Sequence, residues 1–413
     1  MTAEIAILNR TAVALAADSV VTLSDGRRHK TYDSAEKIFE FSRYQPIALM
    51  IYNNAQFMNT PLEVIIREYR EKLTTNTFKS LVQVWPEFEK YLLSFKRGQE
   101  DELDHFRGMV LREVKEIKSQ VLTHVLSSMG KRSRKSRESV QDFIVRQCGL
   151  RKAEAEQSPL KDFLTDVKPE QFREIYGAAV IDVAKGTKLE ISPDIETALC
   201  DMMFAVIKSN QKSAAFTGLV FTGFGAEELF PTLSSVEIDG VYFNQFRVLA
   251  TNLIDIDRRG ETAAIVPFAQ QDMPERFMQG IDGEFEAALE NLCLSMVGQI
   301  VDQNKRAFRN GKADLIKAAV AEEFRDGLDR LKKKNSDDLL SVVNHLSKKE
   351  LGEVAYSLVE LTSRKRRYSN DLETVGGPID VAILTQNEGF IWVRRKHYFD
   401  IALNPRYDPK RSR

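Results

Sequence analysis

Cysteine is scarce: Cys148, Cys200 and Cys293 are the only three in 413 residues, and no two form a Cys-x-x-Cys pair. An odd, scattered set supports neither a disulfide framework nor a thiolate metal site, and reads as buried thiols in a reducing compartment. The five histidines, His29, His105, His124, His345 and His397, form no His-x-x-x-His pair. Neither a metal nor a cofactor is expected. No apolar run approaches the ~20 residues that span a bilayer. The stretch before Asp18 has no basic region ahead of a continuous apolar run, so it does not read as a secretory leader. The expected location is therefore the cytoplasm. A net charge of −1 removes any global pull toward nucleic acid or an anionic membrane.

The composition is globular, 43% hydrophobic and 29% charged. The chain is long enough for two domains, or for one with a large insertion. Four short strands are expected in 4–52: 4–8, a turn at Asn9-Arg10, 11–17 ending at Asp18-Ser19, then 35–41 and 46–51. Asn59 or Thr60 reads as the N-cap of a helix reaching Leu73, with Pro61 in its first turn. From 75 to 190, Leu, Phe, Val and Ile recur at three-to-four spacing among charged residues. That period predicts amphipathic helices and almost no strand. Another helix opens at Pro193 and runs to Lys208. Strands return over 216–225, 231–240, 248–255 and 262–267. Helices follow from Gly283 past Arg309, over 313–334 and over 336–366, and two strands, 379–384 and 390–394, close the pattern.

This order fits two sheets with helices outside, an α+β fold: a four-layer αββα sandwich with a large all-helical insertion. Residues 1–74 would form its first part, 75–194 the insertion, and 195–413 the second part with extra helices. Inside the insertion, Lys131, Arg132, Arg134, Lys135 and Arg137 place five basic residues among seven. Such a run can contact phosphate or an acidic partner. No aromatic interleaves the charges, so a solvated loop is expected and nucleic acid is not. The runs 364–367 and 410–413 read as solvated charge at a helix end and a frayed end.

The chemistry concentrates near residue 2. A small second residue permits removal of Met1, and Thr2 would then carry a hydroxyl and a free α-amine, a nucleophile with its own general base. Such a group needs a cation to lower proton affinity, a carboxylate to hold that cation, and a backbone N–H for the oxyanion. Residue order supplies Asp18 where the second strand ends and Lys37 where the third begins. Read alone, Asp18 ends a strand and Lys37 is an edge-strand lysine. Flanked by Ile38 and Phe39, however, Lys37 needs a partner.

These residues resemble the N-terminal-nucleophile (Ntn) hydrolases, specifically the proteasome β-type peptidases and the related bacterial ATP-dependent threonine peptidase. The matching motifs are Thr2, Ala14-Leu15-Ala16-Ala17-Asp18-Ser19 and Glu36-Lys37-Ile38-Phe39, with Asp18 falling 16 residues after Thr2. Thr222-Gly223-Phe224-Gly225, Asp239-Gly240, Gly280-Ile281-Asp282-Gly283 and Gly377-Pro378-Ile379-Asp380 resemble later motifs. The resemblance covers 1–74, 195–300 and 350–400. It implies Thr2 as nucleophile, Lys37 and Asp18 as its activating pair, and Asp371 with Thr374 beside it. It places Thr22, Asn53 and Asn54 in the substrate cleft. It also implies a peptide or protein substrate, self-association into a homo-oligomer such as a ring, and room for an ATP-dependent unfoldase.

Two departures stand out. Tyr52-Asn53-Asn54-Ala55-Gln56 replaces a glycine-bearing loop, and Ile281 or Asp282 stands where the family has serine. Two expectations follow. One is a threonine-nucleophile amide hydrolase, most simply a peptidase. The other is an inactive scaffold or sensor whose helical insertion binds a protein or nucleic-acid partner.

Overall fold

In the computed structural model the described residues are 3–24, 29–32, 35–73, 78–95, 98–129, 139–304, 312–369, 375–397, 399 and 403. Thr2, Asp371, Thr374 and the basic run 131–137 lie outside them. The chain opens with strands β1 (Ala3–Asn9) and β2 (Val13–Ala17), a small hairpin of β3 (Val21–Ser24) and β4 (His29–Tyr32), then β5 (Ile38–Glu40) and β6 (Ile47–Asn53). A second small hairpin, β7 (Gln56–Phe57) and β8 (Thr60–Pro61), leads into α1 (Leu62–Lys72). Helices follow: α2 (Val84–Ser94), α3 (Gln99–Met129), α4 (Val140–Glu156), α5 (Pro169–Gly186) and α6 (Pro193–Lys208). Next come β9 (Thr217–Gly223), β10 (Thr232–Tyr242), β11 (Gln245–Asp255) and β12 (Ala263–Ala269). The last elements are α7 (Asp272–Gln279), α8 (Gly283–Gln303), α9 (Lys312–Val343), α10 (Lys348–Arg367), β13 (Asp380–Thr385) and β14 (Gly389–Arg394).

This is a mixed α+β protein with two five-stranded sheets, ordered β12-β1-β2-β13-β14 and β11-β10-β9-β6-β5. Every pairing within them is antiparallel. Strands β1 and β2 bury both faces, which is why they read as continuous apolar runs rather than alternating ones. Leu8, Val13 and Leu15 of the first sheet share one cluster with Met50, Val220 and Leu233 of the second. The alternate residues Ile5, Ile7 and Ile383 pack with Val343, Leu351 and Leu358 of α9 and α10. On the second sheet Leu49, Leu219 and Phe221 pack with Ile65 of α1 and Phe88 of α2. Helices α3 to α6 gather a separate core around Phe106, Ile144, Tyr176 and Met203, to which Tyr242 of β10 also belongs.

The β1–β2 turn is an Asx turn: Asn9 Oδ1 accepts from the Thr11 and Ala12 N–H groups, while its Nδ2 donates to Val343 O and Leu346 O at the end of α9. Several boundaries differ from the sequence-based expectation. Helix α1 starts at Leu62, because Thr60 and Pro61 pair in β8 and Pro61 is the N-cap. Helix α8 ends at Gln303 rather than beyond Arg309. There the Asn304 side chain bonds back to Ile300 O and competes with the helical ladder. The helix break expected near residue 335 falls instead between Val343 and Lys348. Asn335 stays helical, its Nδ2 donating to Gln279 O at the end of α7. Ser347 and Glu350 form a capping box that starts α10. Among the described residues no helix is long and apolar enough to cross a membrane.

Candidate active site

The β1–β2 ladder ends where the chain begins to turn away, and its last bonds converge on one carboxylate. Asp18 N–H donates to Ala3 O at 3.1 Å, and Ala3 N–H returns a bond to Asp18 Oδ1 at 3.0 Å. Lys37 stands directly before β5, on the edge of the other sheet, and its carbonyl accepts Ile51 N–H at 2.9 Å. Its side chain crosses to the first sheet, where Nζ lies 2.6 Å from Asp18 Oδ1 and 3.0 Å from Val20 O. Both side chains are buried, Asp18 at 1% and Lys37 at 3% exposure. A lysine side chain buried to that degree calls for a carboxylate partner, which Asp18 supplies.

The second carboxylate oxygen is held from far along the chain. Gly376 N–H donates to Asp18 Oδ2 at 2.9 Å, Ser19 N–H donates to Gly376 O, and Ser19 Oγ donates to Pro378 O. The Gly376–Pro378 turn therefore wraps the end of β2. It follows directly on the segment that holds Asp371 and Thr374.

Thr22 stands on β3 opposite Thr31. Asn53 ends β6 with a left-handed φ of 66°, a conformation that asparagine tolerates better than most side chains. Its amide donates to Ala214 O and Phe216 O, and Asn54 donates to Ala215 O. The two asparagines thus fasten their loop to the segment before β9. A cavity of about 240 Å³ opens beside that loop, lined by Asn54, Gln56, Asn59, Asp104, His105 and Thr217 among others. The structure brings Asp18 and Lys37 together; Asn53 and Asn54 belong to a neighbouring loop.

Three residues not singled out from the sequence join the site. Glu4, a buried acid within the apolar β1 run, places Oε1 3.7 Å from Lys37 Nζ. Tyr52 donates its hydroxyl to Glu237 Oε1 at 2.9 Å, and Lys212 pairs with Glu237 from the surface side. Burial first, then the Glu237 and Glu4 charges, push the Tyr52 phenol well above its ordinary range. Gly218 makes room for that ring, since a Cβ there would stand 2.1 Å from it. The only hint in the sequence was a glutamate interrupting each of two strand patterns.

A second buried cluster has a different character. Arg247, fully buried, ion-pairs with Asp239 and donates to the carbonyls of Ile207, Ser209 and Gln211 at 2.7 Å each. His105 Nε2 and the Ser213 N–H and hydroxyl complete the shell of Asp239. Burial alone would raise the Asp239 carboxyl. The His105 hydrogen bond and the Arg247 charge outweigh it and hold the group down at about 2.

The described residues thus define a mixed α+β protein whose two antiparallel sheets meet at a buried lysine–carboxylate centre. No protein-family model matches the chain, and no curated protein matches its sequence. Among solved structures it is similar to Anbu (ancestral beta-subunit) from Yersinia bercovieri, at 8% identity, covering 99% of this chain and 94% of that one. The TM-score is 0.29, an overlap too low to establish a shared fold.

Proposed function

We propose that the chain is an Ntn hydrolase with a four-layer αββα sandwich, cutting amide bonds through Thr2 once processing frees the Thr2 α-amine. One observation carries this reading. Lys37 Nζ is buried 2.6 Å from Asp18 Oδ1, and that same oxygen accepts the N–H of Ala3, the residue bonded to Thr2. The cluster shared by the two sheets, with helices against both outer faces, supports the sandwich. Helices α3 to α6 (99–208), with their own core, are the proposed insertion in place of the expected 75–194, since α2 packs with α1 on the second sheet and α6 joins the helical core.

In the proposed reaction Thr2 Oγ bonds to the amide carbonyl carbon while the hydroxyl proton passes to the Thr2 α-amine. The fixed charge of Lys37 lowers the proton affinity of both groups, and Asp18 holds Lys37 in place. Backbone N–H groups near Asn53 and Asn54 receive the oxyanion. As the intermediate collapses the C–N bond breaks, and the leaving amine takes the proton from the α-ammonium. Water then cleaves the ester and restores Thr2. Peptides or proteins are the proposed substrates. Thr22, Asp371 and Thr374 are assigned to the same centre by resemblance alone.

Intact mass tests the mechanism. The mature chain should begin at Thr2 and gain one equivalent of a peptide vinyl sulfone, and Thr2→Ala should gain none. Met1 retained in the mature chain, or labelling that survives Thr2→Ala, would overturn it.

Self-association is proposed alongside. Helix α8 carries Phe285, Leu292, Met296 and Ile300 along one face, each about half exposed. Packed antiparallel on a second copy, Leu292 would meet Met296 and Ala288 would meet Ile300, each pair repeated by the twofold axis. Sedimentation should show an oligomer that Met296→Glu dissociates. A monomeric wild type would sink the idea.

A further inference from the structure

Helix α3 carries apolar side chains on two sides, and the helical core accounts for one of them. Phe106, Val110, Val114 and Ile117 face the core shared with α4, α5 and α6. At roughly 100° per residue, Gly108, Leu111, Lys115, Lys118, Leu122 and Leu126 fall within a separate sector about 80° wide. Leu122 and Leu126 are more than half exposed, and Leu111 more than a third. The stripe runs about 27 Å along the helix, or about five turns. Beside its first part α5 leaves an open groove of about 600 Å³, whose lining includes Gly108, Leu111, Lys115, Lys118, Val183 and Gly186.

Two features set this groove apart from an ordinary seam between helices. A Cβ built on Gly108 or on Gly186 would meet no atom within 4 Å, so the two helices leave room that their own side chains do not fill. The charge around it is also of one sign. Lys118 donates to Thr187 O, which does not neutralise it, and Lys115 has no ion-pair partner among the described residues. Arg107, at the N-terminal end, is engaged by Glu100 and Asp104. Among the described residues no carboxylate lines the groove. Lysines beside leucines can serve simply to keep a face soluble. That role needs no unfilled groove, and the open glycines are what distinguish this face.

We propose that this face receives an acidic amphipathic helix from a partner protein. A helix of about five turns matches the stripe. Its apolar side chains would cover Leu111 at one end and Leu122 and Leu126 at the other, and two carboxylates at its middle would meet Lys115 and Lys118. Gly108 and Gly186 let its backbone come close, as a helix laid in a groove requires. Charge complementarity fixes the sign of the partner, because a basic helix would bring like charges together over the same lysines. The proposal stands apart from the threonine mechanism and holds for a hydrolase or a scaffold alike.

The test uses the full chain and a fluorescein-labelled helical peptide of about 20 residues, with leucines along one face and two glutamates at the middle of that face. Fluorescence anisotropy should show binding to wild type. A second peptide, with lysines in place of those glutamates, should bind about tenfold more weakly. Lys115→Glu combined with Lys118→Glu should invert that preference. Gly108→Leu fills the groove while raising helix propensity, and should weaken the acidic peptide about tenfold with the thermal unfolding transition retained. No binding to wild type would overturn the proposal, as would equal binding of both peptides by wild type and variants, the mark of a nonspecific apolar surface. Sedimentation decides against the other occupant. If wild type self-associates and Gly108→Leu abolishes it, the groove holds a second copy of the chain and the partner helix is overturned.

Discussion

Arg247 and Lys37 are both buried cations facing carboxylates, yet they are built for different ends. The Arg247 fork spends its donors on Asp239 and on carbonyls within residues 206–211, which binds the end of α6 to β10 and β11. An arginine cannot lend or take a proton in water's pH range, and its planar shape suits a clamp. Lys37 is a compact charge with two carboxylates, placed at the end of the strand whose next residue is the proposed nucleophile. Complete satisfaction by fixed backbone groups marks a structural clamp. A point charge shared between carboxylates is the arrangement that the proposed mechanism uses.

That contrast can be broken experimentally. Arg247→Met leaves Asp239 buried without its cation and should cost about 3–5 kcal/mol in denaturant unfolding. The labelling rate of the fraction still folded should be unchanged. Lys37→Arg keeps the charge but not the point geometry. It should leave unfolding within about 1 kcal/mol of wild type and slow vinyl sulfone labelling by about 100-fold, the scale of losing one preorganised electrostatic group. If the two variants exchanged phenotypes, the assignment of clamp and chemistry would be reversed.

Acid titration gives the smallest effect. Asp239 has a folded pKa near 2 against an ordinary 3.8. Its stabilisation is therefore complete above about pH 4 and is lost as pH falls through 2. By linkage this is worth about 2 kcal/mol. Asp239→Asn should remove that part of the acid slope, and an unchanged slope would show that another carboxylate carries it.

The pattern of strands and helices was readable because both faces of each central strand are buried, so that Ile-Ala-Ile-Leu and Ala-Leu-Ala-Ala stand out as apolar runs. Asp18 and Lys37 were conspicuous for a related reason: each is a charge at the border of such a run. Glu4, Tyr52 and Glu237 were not. Tyr52 and Glu237 meet across 185 residues of sequence, and only the strand order places them together. The break read at Asn335-Ser336 was misplaced because turn-forming side chains usually compete with helix. Here the competition is absorbed by a bond from Asn335 to Gln279 O. The hairpin of β3 and β4 between Asp18 and Lys37 was likewise missed, its strands being four residues each.

The hydrogen bond from Gly376 to Asp18 spans 358 positions, and β13 must slot in beside β2 before it can form. A ribosome adding roughly 5–20 residues per second needs tens of seconds to supply that stretch. Until then the β2 edge of the opening hairpin stays bare, and its β1 edge is bare until β12 is made. Under the proposed mechanism, newly made chains should thus show no labelling until β13 is in place.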